Sequence, residues 1–332
     1  MDNEIKVSIE CLVYNHEPFL RRCLDGFVMQ KTNFRFEAII HDDCSTDHSA
    51  DIIREYELKY PDIIKPIYEK ENQFSKGAKG LTKSKMNGMT HGKYIAFCEG
   101  DDYWIDPTKL QKQFDYLENH PNIVMCFTNF DVLYQESGLL KKSVLTNNPN
   151  QYPIDFSLER WIISPGYIGP MTWLIRREAW FTIPQIATSD GTYLWVSHFL
   201  SLGDISCLKE LTSAVYRSHK GSITSSLSFK TQYWQKLNFY YAKCNLIDYY
   251  LKNSIKKDEL KRDALNAFFN NNYCKKILCY GDKKDLDILR RYFYNLSITN
   301  KLLYHLCKIR VIRKLYRKIY LTYIHEKTGL SV

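Results

Sequence analysis

The chain has 332 residues, 45% of them hydrophobic and 25% charged, and this composition predicts a packed α/β protein rather than a disordered one. Seven basic residues and no acidic residue lie between Lys301 and Lys318, so most of the net charge of +9 is local. Nucleic-acid binding is therefore not indicated. The ten cysteines lack zinc-type spacing, no secretory leader pattern is visible, and no apolar run would span a bilayer. We expect a cytoplasmic protein with reduced thiols.

The N-terminal part of the chain alternates between short apolar runs and helical patterns. Strands are predicted at Lys6–Val13, Phe36–Ile40, Ile63–Tyr68 and Tyr94–Cys98, and Pro66 marks the third as an edge strand or an interrupted one. Apolar residues at helical spacing lie between these strands. Such alternation predicts a parallel sheet with helices on both faces.

Polar loops follow three of these strands, after Val13, Ile40 and Cys98. Ligands of such sheets bind beyond the carboxyl ends of the strands, so we expect the three loops to converge on one crevice. The third loop, Glu99-Gly100-Asp101-Asp102, offers carboxylates of the kind that bind Mg²⁺ or Mn²⁺ together with substrate phosphates. A solvated acidic turn is the alternative interpretation.

The pattern changes in the second half of the chain. Short strands are predicted around Ile123–Phe127, Thr172–Arg176 and Thr212–Arg217, and helical periodicity takes over after Ser225. The predicted parts are a domain 1–225, made of a nucleotide-binding half 1–125 and an acceptor half 126–225, and a helical C-terminal region 226–332.

Three motifs occur in order along the N-terminal part: Val7 to Asn15, Asp42-Asp43-Cys44-Ser45-Thr46-Asp47, and Gly92 to Trp104. In order and spacing they resemble the inverting glycosyltransferases of family 2. The resemblance implies an α/β chain with a GT-A-type nucleotide-binding domain, whose mostly parallel central sheet is flanked by helices. It also implies a UDP-sugar donor, a glycan or lipid-linked glycan acceptor, and Mn²⁺ or Mg²⁺ as cofactor.

The same resemblance implies roles for residues of the nucleotide site. Asp43, helped by Asp42 and the backbone near Tyr14, is expected to hold the nucleobase, and helix capping is the alternative role for the two aspartates. Asp101 is expected to face the ribose or the metal. Asp102 is expected to be the principal metal ligand.

Further roles are implied in the second half. Asp190 is expected to be the general base that takes the proton of the acceptor hydroxyl, and capping of the following helix is the alternative. His219 closes Tyr216-Arg217-Ser218-His219 and is expected to bind the metal or the diphosphate, with a structural role as the alternative. Glu99 is expected to be a supporting carboxylate.

Aromatic and basic residues complete the set of candidates. Trp104, Trp173 and Trp195 are candidate acceptor-side residues, because aromatic rings stack on sugars, and core packing is the alternative. The Ala-Arg-Asn signature of the family is missing ahead of the third motif. A lysine is therefore expected to contact the diphosphate, unless all four candidates form a solvated loop face: Lys76, Lys79, Lys83 or Lys85.

The basic C-terminal tail has an apolar stripe with residues three or four positions apart: Leu302, Leu306, Ile309, Ile312, Leu315, Ile319 and Tyr323. This pattern fits a helix in an anionic membrane interface, at the inner face of the cell membrane. It fits equally a helix that packs on its own domain with a charged outer face.

Three other functions compete with sugar transfer. A sugar-1-phosphate nucleotidyltransferase carries a glycine-rich basic loop after its first strand, and Tyr14-Asn15-His16-Glu17 does not resemble it. A dehydrogenase needs Gly-x-Gly-x-x-Gly at the same place, and the motif is missing. A sugar-nucleotide-binding protein of the same fold without transferase activity is the remaining alternative, because fold does not dictate activity.

Overall fold

A computed structural model describes residues 4–77, 79–147, 157–188, 191–220, 229–268, 274–280, 286–287, 290 and 298–328. The chain divides into two units. The first, here called the sheet unit, comprises residues 1–161, 165–184 and 195–220. The second, the helical unit, comprises residues 162–164, 185–194 and 221–332. The predicted boundary near residue 225 lies outside the described residues.

The sheet unit is built on a nine-stranded sheet with the order β3-β2-β1-β4-β8-β6-β9-β5, in which β7 pairs with β6. Its strands are β1 Ile5–Val13, β2 Arg35–Asp42, β3 Ile64–Tyr68, β4 Tyr94–Phe97, β5 Tyr103–Trp104, β6 Ile123–Tyr134, β7 Leu139–Lys141, β8 Leu174–Arg176 and β9 Asp204–Ser218.

The first four strands are the predicted ones, and they pair in parallel. Strand β1 lies between β2 and β4, and its residues Val7–Cys11 are buried, as expected for a strand covered on both faces. Strand β3 pairs with β2 alone among the described strands and ends the sheet, which confirms the edge position expected from Pro66.

Beyond β4 the sheet is mixed. Strand β8 runs antiparallel to both β4 and β6, whereas β6 and β9 are parallel to each other. The strands predicted at Ile123–Phe127 and Thr212–Arg217 are longer than expected, because β6 and β9 pair along most of their length. The strand predicted at Thr172–Arg176 is shorter, since Pro170–Thr172 form a 3₁₀ turn before β8.

Helices accompany the strands on the way to residue 220. They are α1 Glu17–Val28, α2 Ser49–Lys59, α3 Lys79–Met89, α4 Lys109–Asn119, α5 Val144–Asn147, α6 Leu158–Ile163, α7 Arg177–Phe181 and α8 Gly191–Leu202. Helix α1 shows how sequence dictates these elements. Its apolar residues Leu20, Cys23, Leu24 and Phe27 recur at helical spacing and are all buried.

The C-terminal region is helical, as predicted. Its described helices are α9 Phe229–Tyr250, α10 Lys257–Phe268, α11 Cys274–Tyr280, α12 Ile298–Cys307 and α13 Arg310–Thr328. The basic tail is therefore two helices, which interrupts the single stripe expected from the sequence. Within the described ranges, no helix is both long enough and apolar enough to cross a membrane.

Candidate active site

Three polar loops meet at the carboxyl end of β1. The amide of Asp43, just after β2, donates to the carbonyl of Val13 at 2.9 Å. The amide of Gly100, after β4, donates to the carbonyl of Leu12 at 3.0 Å. The loops after β2 and β4 therefore flank the loop after β1, which confirms the expected convergence.

The loop after β1 is held in a fixed turn by the loop after β2. Asn15 has a φ of 54°, in the left-handed region that asparagine enters more readily than most residues. Its amide donates to Ser45 Oγ at 3.0 Å, and its Oδ1 accepts from the amide of Thr46 at 2.8 Å. Tyr14 is 44% exposed beside this turn. The turn therefore presents an aromatic ring at the rim of the crevice.

The two aspartates after β2 have different surroundings. Asp43 accepts from the amides of Gln73 and Phe74 at 2.7 and 3.0 Å, so both of its oxygens hold the loop after β3. Asp42 is buried, and its Oδ1 has no hydrogen-bond partner among the described residues. A buried carboxylate oxygen without a donor is costly, which makes Asp42 Oδ1 a candidate to accept a hydrogen bond from a ligand.

Asp47, rather than Asp42 or Asp43, takes the capping role considered for this loop. Its Oδ1 accepts from the amide of Ser49 in the first turn of α2, and its Oδ2 accepts from the amide of Glu17 at the start of α1, each at 3.0 Å. One side chain thereby satisfies amides at two helix N-termini.

The acidic turn after β4 is braced by the end of β9. Strand β5 follows the turn directly and pairs with β9 through Tyr103 opposite Val215. This pairing places Arg217 beside the turn, where its amide donates to Asp102 Oδ1 at 2.7 Å and its Nε donates to the carbonyl of Asp101 at 2.8 Å. His219 Nε2 lies 3.1 Å from Asp101 Oδ2.

The carboxylates of the turn differ in what remains free to bind a ligand. Asp102 is buried and accepts from a main-chain amide, and burial, followed by the charge of Asp101, raises its pKa well above the usual range. Asp101 Oδ1 is buried and has no hydrogen-bond partner within the described part of the chain. Asp101 Oδ1 is therefore a candidate to bind a ligand, in addition to the predicted metal ligand Asp102.

Charge at the turn is only partly neutralised. Glu99 is exposed to solvent, and the protein around its carboxylate, followed by the charge of Asp101, raises its pKa above the usual value. Burial lowers the pKa of Arg217, the guanidinium nearest the turn, and also that of His16. An added cation would stabilise the ionised carboxylates.

A divalent metal fits this arrangement if substrate oxygens supply most of its ligands. No group of three or more histidine, cysteine, aspartate or glutamate side chains in the described ranges is arranged to enclose a metal ion. Mg²⁺ in nucleotide sites is held through one or two carboxylates plus phosphates, so a full protein cage is not required. The unpartnered Oδ1 of Asp101 suits such a site, and His219 lies beside the same carboxylate.

The candidate tryptophans lie mainly in the core. Trp104 is buried and donates from Nε1 to the carbonyl of Met171 at 2.7 Å, and Trp173 is fully buried. Their ring faces are covered by protein, so the core-packing alternative describes both. Trp195 is half-buried and packs edge-on against Trp180 at 4.9 Å between ring centres. Of the three, Trp195 alone keeps part of its surface accessible.

The four candidate lysines separate by their partners. Lys76 and Lys85 form ion pairs with glutamates. Lys83 is half-buried, with Nζ 4.2 Å from the centre of the Trp180 ring, and burial lowers its pKa. The side chain of Lys79 lies outside the described residues. Lys83 has no ion pair with a carboxylate among the described residues, although its charge acts on the buried Glu10, and it is kept as the candidate for the diphosphate contact.

One predicted site residue lies outside the described residues, and one residue of the site was not predicted. Asp190 lies outside the described residues, so its role as general base stays a prediction. Arg217 was not selected, although it belongs to the Tyr216-Arg217-Ser218-His219 stretch that drew attention to His219. Its importance depends on the pairing of β5 with β9, which local sequence does not reveal.

Comparison with known proteins decides the family. Residues 8–180 match the model of Glycosyl transferase family 2. The chain belongs to this family. An uncharacterised family relative from Mycobacterium tuberculosis is 36% identical over 231 residues, which cover 69% of this chain and 64% of that protein. TuaG of Bacillus subtilis, whose name assigns it to teichuronic acid biosynthesis, is 29% identical over 259 residues, covering 76% of this chain and 96% of TuaG.

Solved structures confirm the GT-A-type fold of this family 2 member. Staphylococcus aureus TarS 1-349, solved with UDP-GlcNAc, matches with a TM-score of 0.61 at 16% identity, over 95% of this chain and 91% of that one. The mannosyltransferase PcManGT of Pyrobaculum calidifontis, solved with GDP-Man and Mn²⁺, matches with a TM-score of 0.50 at 12% identity, over 95% and 88% of the two chains. At these identities the likeness concerns the fold alone.

Proposed function

We propose that this protein is an inverting glycosyltransferase that moves a hexosyl or N-acetylhexosaminyl group from a UDP-sugar to a glycan or lipid-linked glycan. The observation that carries the proposal is the unpartnered, buried Oδ1 of Asp101 at the meeting point of three polar loops. Mn²⁺ or Mg²⁺ at this oxygen would neutralise the charge of the leaving diphosphate. The UDP-GlcNAc bound to TarS and the biosynthetic name of TuaG support this choice of donor and acceptor class.

The nucleoside is assigned to the loops after β1 and β2. Asp42 Oδ1 would accept a hydrogen bond from the nucleobase or the ribose, which would remove the cost of burying it unpaired. Asp43 supports this position by holding the adjacent loop with both carboxylate oxygens. The exposed ring of Tyr14 is suited to stack on the base.

The residues of the acidic turn divide the remaining work. Asp101 would hold a metal ion that neutralises the diphosphate, and His219, 3.1 Å from Asp101 Oδ2, would orient that carboxylate. Asp102 keeps the turn in register with β9 through the amide of Arg217. This division differs from the sequence-based prediction that Asp102 is the principal metal ligand, and it rests on which oxygen lacks a partner.

The transfer step itself needs a base and a leaving group. The acceptor oxygen attacks the anomeric carbon on the face opposite the diphosphate, the bond from that carbon to the phosphate oxygen breaks, and UDP departs with the electron pair. Asp190 is proposed to take the acceptor proton. The acceptor oxygen loses its proton while its bond to the anomeric carbon forms and UDP leaves. Because these changes occur together, a carboxylate of modest pKa suffices as the base.

UDP binding and turnover test the assignment together. We expect UDP with Mn²⁺ to raise the unfolding temperature of the wild-type protein, because a ligand that binds only the folded state stabilises it. Asp101→Asn should lose the Mn²⁺-dependent part of that shift and lower donor turnover about 100-fold or more. Asp102→Asn should instead keep the Mn²⁺-dependent shift and not lower stability in the absence of ligand, because the amide retains an oxygen for the Arg217 amide and removes a buried charge.

The same assay separates the competing functions. A wild-type protein that neither binds UDP nor consumes any UDP-sugar would overturn the proposal. UDP-sugar binding without transfer to any glycan acceptor would favour the binding protein without activity. Pyrophosphate release from UTP and a sugar 1-phosphate would favour the nucleotidyltransferase.

We place the enzyme in the cytoplasm, at the inner face of the cell membrane. UDP-sugars are charged and water-soluble, whereas a lipid-linked acceptor is confined to the bilayer surface. An enzyme that joins the two works best where both are present.

A further inference from the structure

Helix α13 exposes a row of apolar side chains. Val311, Leu315 and Ile319 are 75%, 57% and 60% exposed, and their four-residue spacing places them on one face of the helix. We call these three residues the α13 patch. The preceding helix α12 repeats the pattern with Ile298, Leu302 and Leu306, which are 87%, 61% and 41% exposed.

The other side of α13 is already engaged within the helical unit. Arg313 Nε donates to the carbonyl of Leu278 in α11 at 2.7 Å. Tyr316, three positions after Arg313 on the helix surface, is half-buried, and so is Ile312, four positions before Tyr316. The α13 patch is therefore not the face with which α13 packs on its own unit.

This orientation separates the two alternatives left open by the sequence. A helix packed on its own domain with a charged outer face would turn its apolar row inward. Here a basic residue, Arg313, reaches inward to a main-chain carbonyl, while Leu315 and Ile319 of the predicted stripe face outward. The exposed apolar row requires another explanation.

Positive charge borders the α13 patch. Arg310, Lys314 and Lys318 are exposed and also follow one another at four-residue spacing, each one position before a patch residue. The segment from Lys301 to Lys318 contains seven basic residues and no acidic one. A second copy of this chain would bring the same charges to the same surface, which disfavours self-association. An anionic partner is favoured instead.

We propose that α13 docks on an anionic lipid bilayer. Val311, Leu315 and Ile319 would enter the boundary between headgroups and acyl chains, and Arg310, Lys314 and Lys318 would meet the lipid phosphates. The proposal gives the membrane location a defined surface and a lipid class. It does not depend on which sugar is donated.

Vesicle flotation of the full chain tests this docking. We expect the wild-type protein to float with vesicles of phosphatidylcholine and phosphatidylglycerol at least about tenfold more than with phosphatidylcholine alone. The double variant Leu315→Ser/Ile319→Ser and the double variant Lys314→Gln/Lys318→Gln should each float about tenfold less with the anionic vesicles than the wild type. The matched control is Leu58→Ser, because Leu58 is 84% exposed on α2, outside the patch.

Three results would overturn the proposal: no flotation of the wild type, equal flotation with neutral vesicles, or unchanged flotation of both double variants. A wild-type dimer that Leu315→Ser/Ile319→Ser converts to a monomer, without lipid binding, would assign the surface to a second copy. Each variant is also assayed for its UDP-induced shift in unfolding temperature, which should equal that of the wild type. If UDP raised the unfolding temperature of neither the wild type nor any variant, the donor assignment would be wrong, but the flotation result would still test lipid binding.

Discussion

Charged side chains are usually exposed and apolar side chains usually buried. The acidic turn of the sheet unit and the α13 patch of the helical unit are opposite exceptions to this rule. At the turn, charge is buried: Asp102 is 6% exposed, and Asp101 Oδ1 lacks a donor among the described residues. At the α13 patch, apolar side chains are exposed beside lysines. Each arrangement is unfavourable without a ligand. The proposed ligands, a hard cation with phosphates at one place and a lipid surface at the other, would each remove this cost.

The largest effect is expected from a variant that loses sugar transfer but keeps both the acidic turn and the α13 patch intact. Asp190→Asn should lower transfer by about 100- to 10,000-fold, because an amide cannot take the acceptor proton. UDP binding and vesicle flotation should stay at wild-type levels. Steady-state kinetics and the UDP-induced thermal shift measure the two quantities, with Asp62→Asn as an exposed control. Equal loss of binding and transfer would remove Asp190 from the role of base.

The sheet unit also buries an acidic side chain outside the acidic turn, that of Glu10 in β1. This residue is 5% exposed, and burial raises its pKa to about 7 against the opposing charge of Lys83. Between the ordinary pKa of 4.5 and this value the folded protein keeps a proton that the unfolded chain loses, so stability falls as pH rises.

Glu10→Gln should therefore raise the free energy of unfolding by roughly 2 kcal/mol at about pH 8, and the gain should fade toward about pH 5. Urea denaturation at both pH values measures it, with Glu178→Gln as the exposed control. A gain of the same size at both pH values would show that ionisation of Glu10 is not its cause.

A smaller effect is expected at the lysines. Lys83→Met should raise the KM for the donor about tenfold, because a diphosphate would lose one ammonium partner. Lys85→Met should change it less, since Lys85 is held by Glu69 at 2.6 and 2.7 Å. Donor-saturation curves at fixed Mn²⁺ compare the two. A larger effect of Lys85→Met would transfer the diphosphate contact to that residue.

The smallest effect is expected on the stability of the α13 patch, compared with that of the buried core. Leu315→Ser should change the free energy of unfolding by less than about 0.5 kcal/mol, as is usual for exposed positions. Leu20→Ala, at a fully buried position of α1, should cost roughly 2–5 kcal/mol. Chemical denaturation of both variants tests the pair. A large loss from Leu315→Ser would mean that the patch is covered in the folded protein.

Local pattern was sufficient to predict the first half of the fold. Strands β1 to β4 are short apolar runs separated by helices such as α1, whose buried residues follow the helical period. The acidic turn could be recognised because it directly follows β4. The later strands were predicted less well, because the lengths of β6 and β9 are set by their pairing with each other.

The proposed division of roles within the site could not be predicted from the sequence. Asp101 and Asp102 are adjacent and chemically identical, and they differ through a hydrogen bond from Arg217, far along the chain. The tail shows the same limit. Its apolar stripe was visible, but the inward contact of Arg313 with α11 determines which side faces outward.

Gly100 shows how the site can be lost without removal of a functional group. A methyl group at this position would lie 2.7 Å from His16 Nδ1 and 3.0 Å from Val13 Cγ2. Val13 ends β1 and His16 lies in the loop that follows it, so a larger side chain would push this loop away from the acidic turn. Every proposed ligand would still be present, yet the base-binding and phosphate-binding halves would no longer fit one nucleotide. In a mutational screen, a residue with no side chain of its own should therefore be as intolerant as the aspartates beside it.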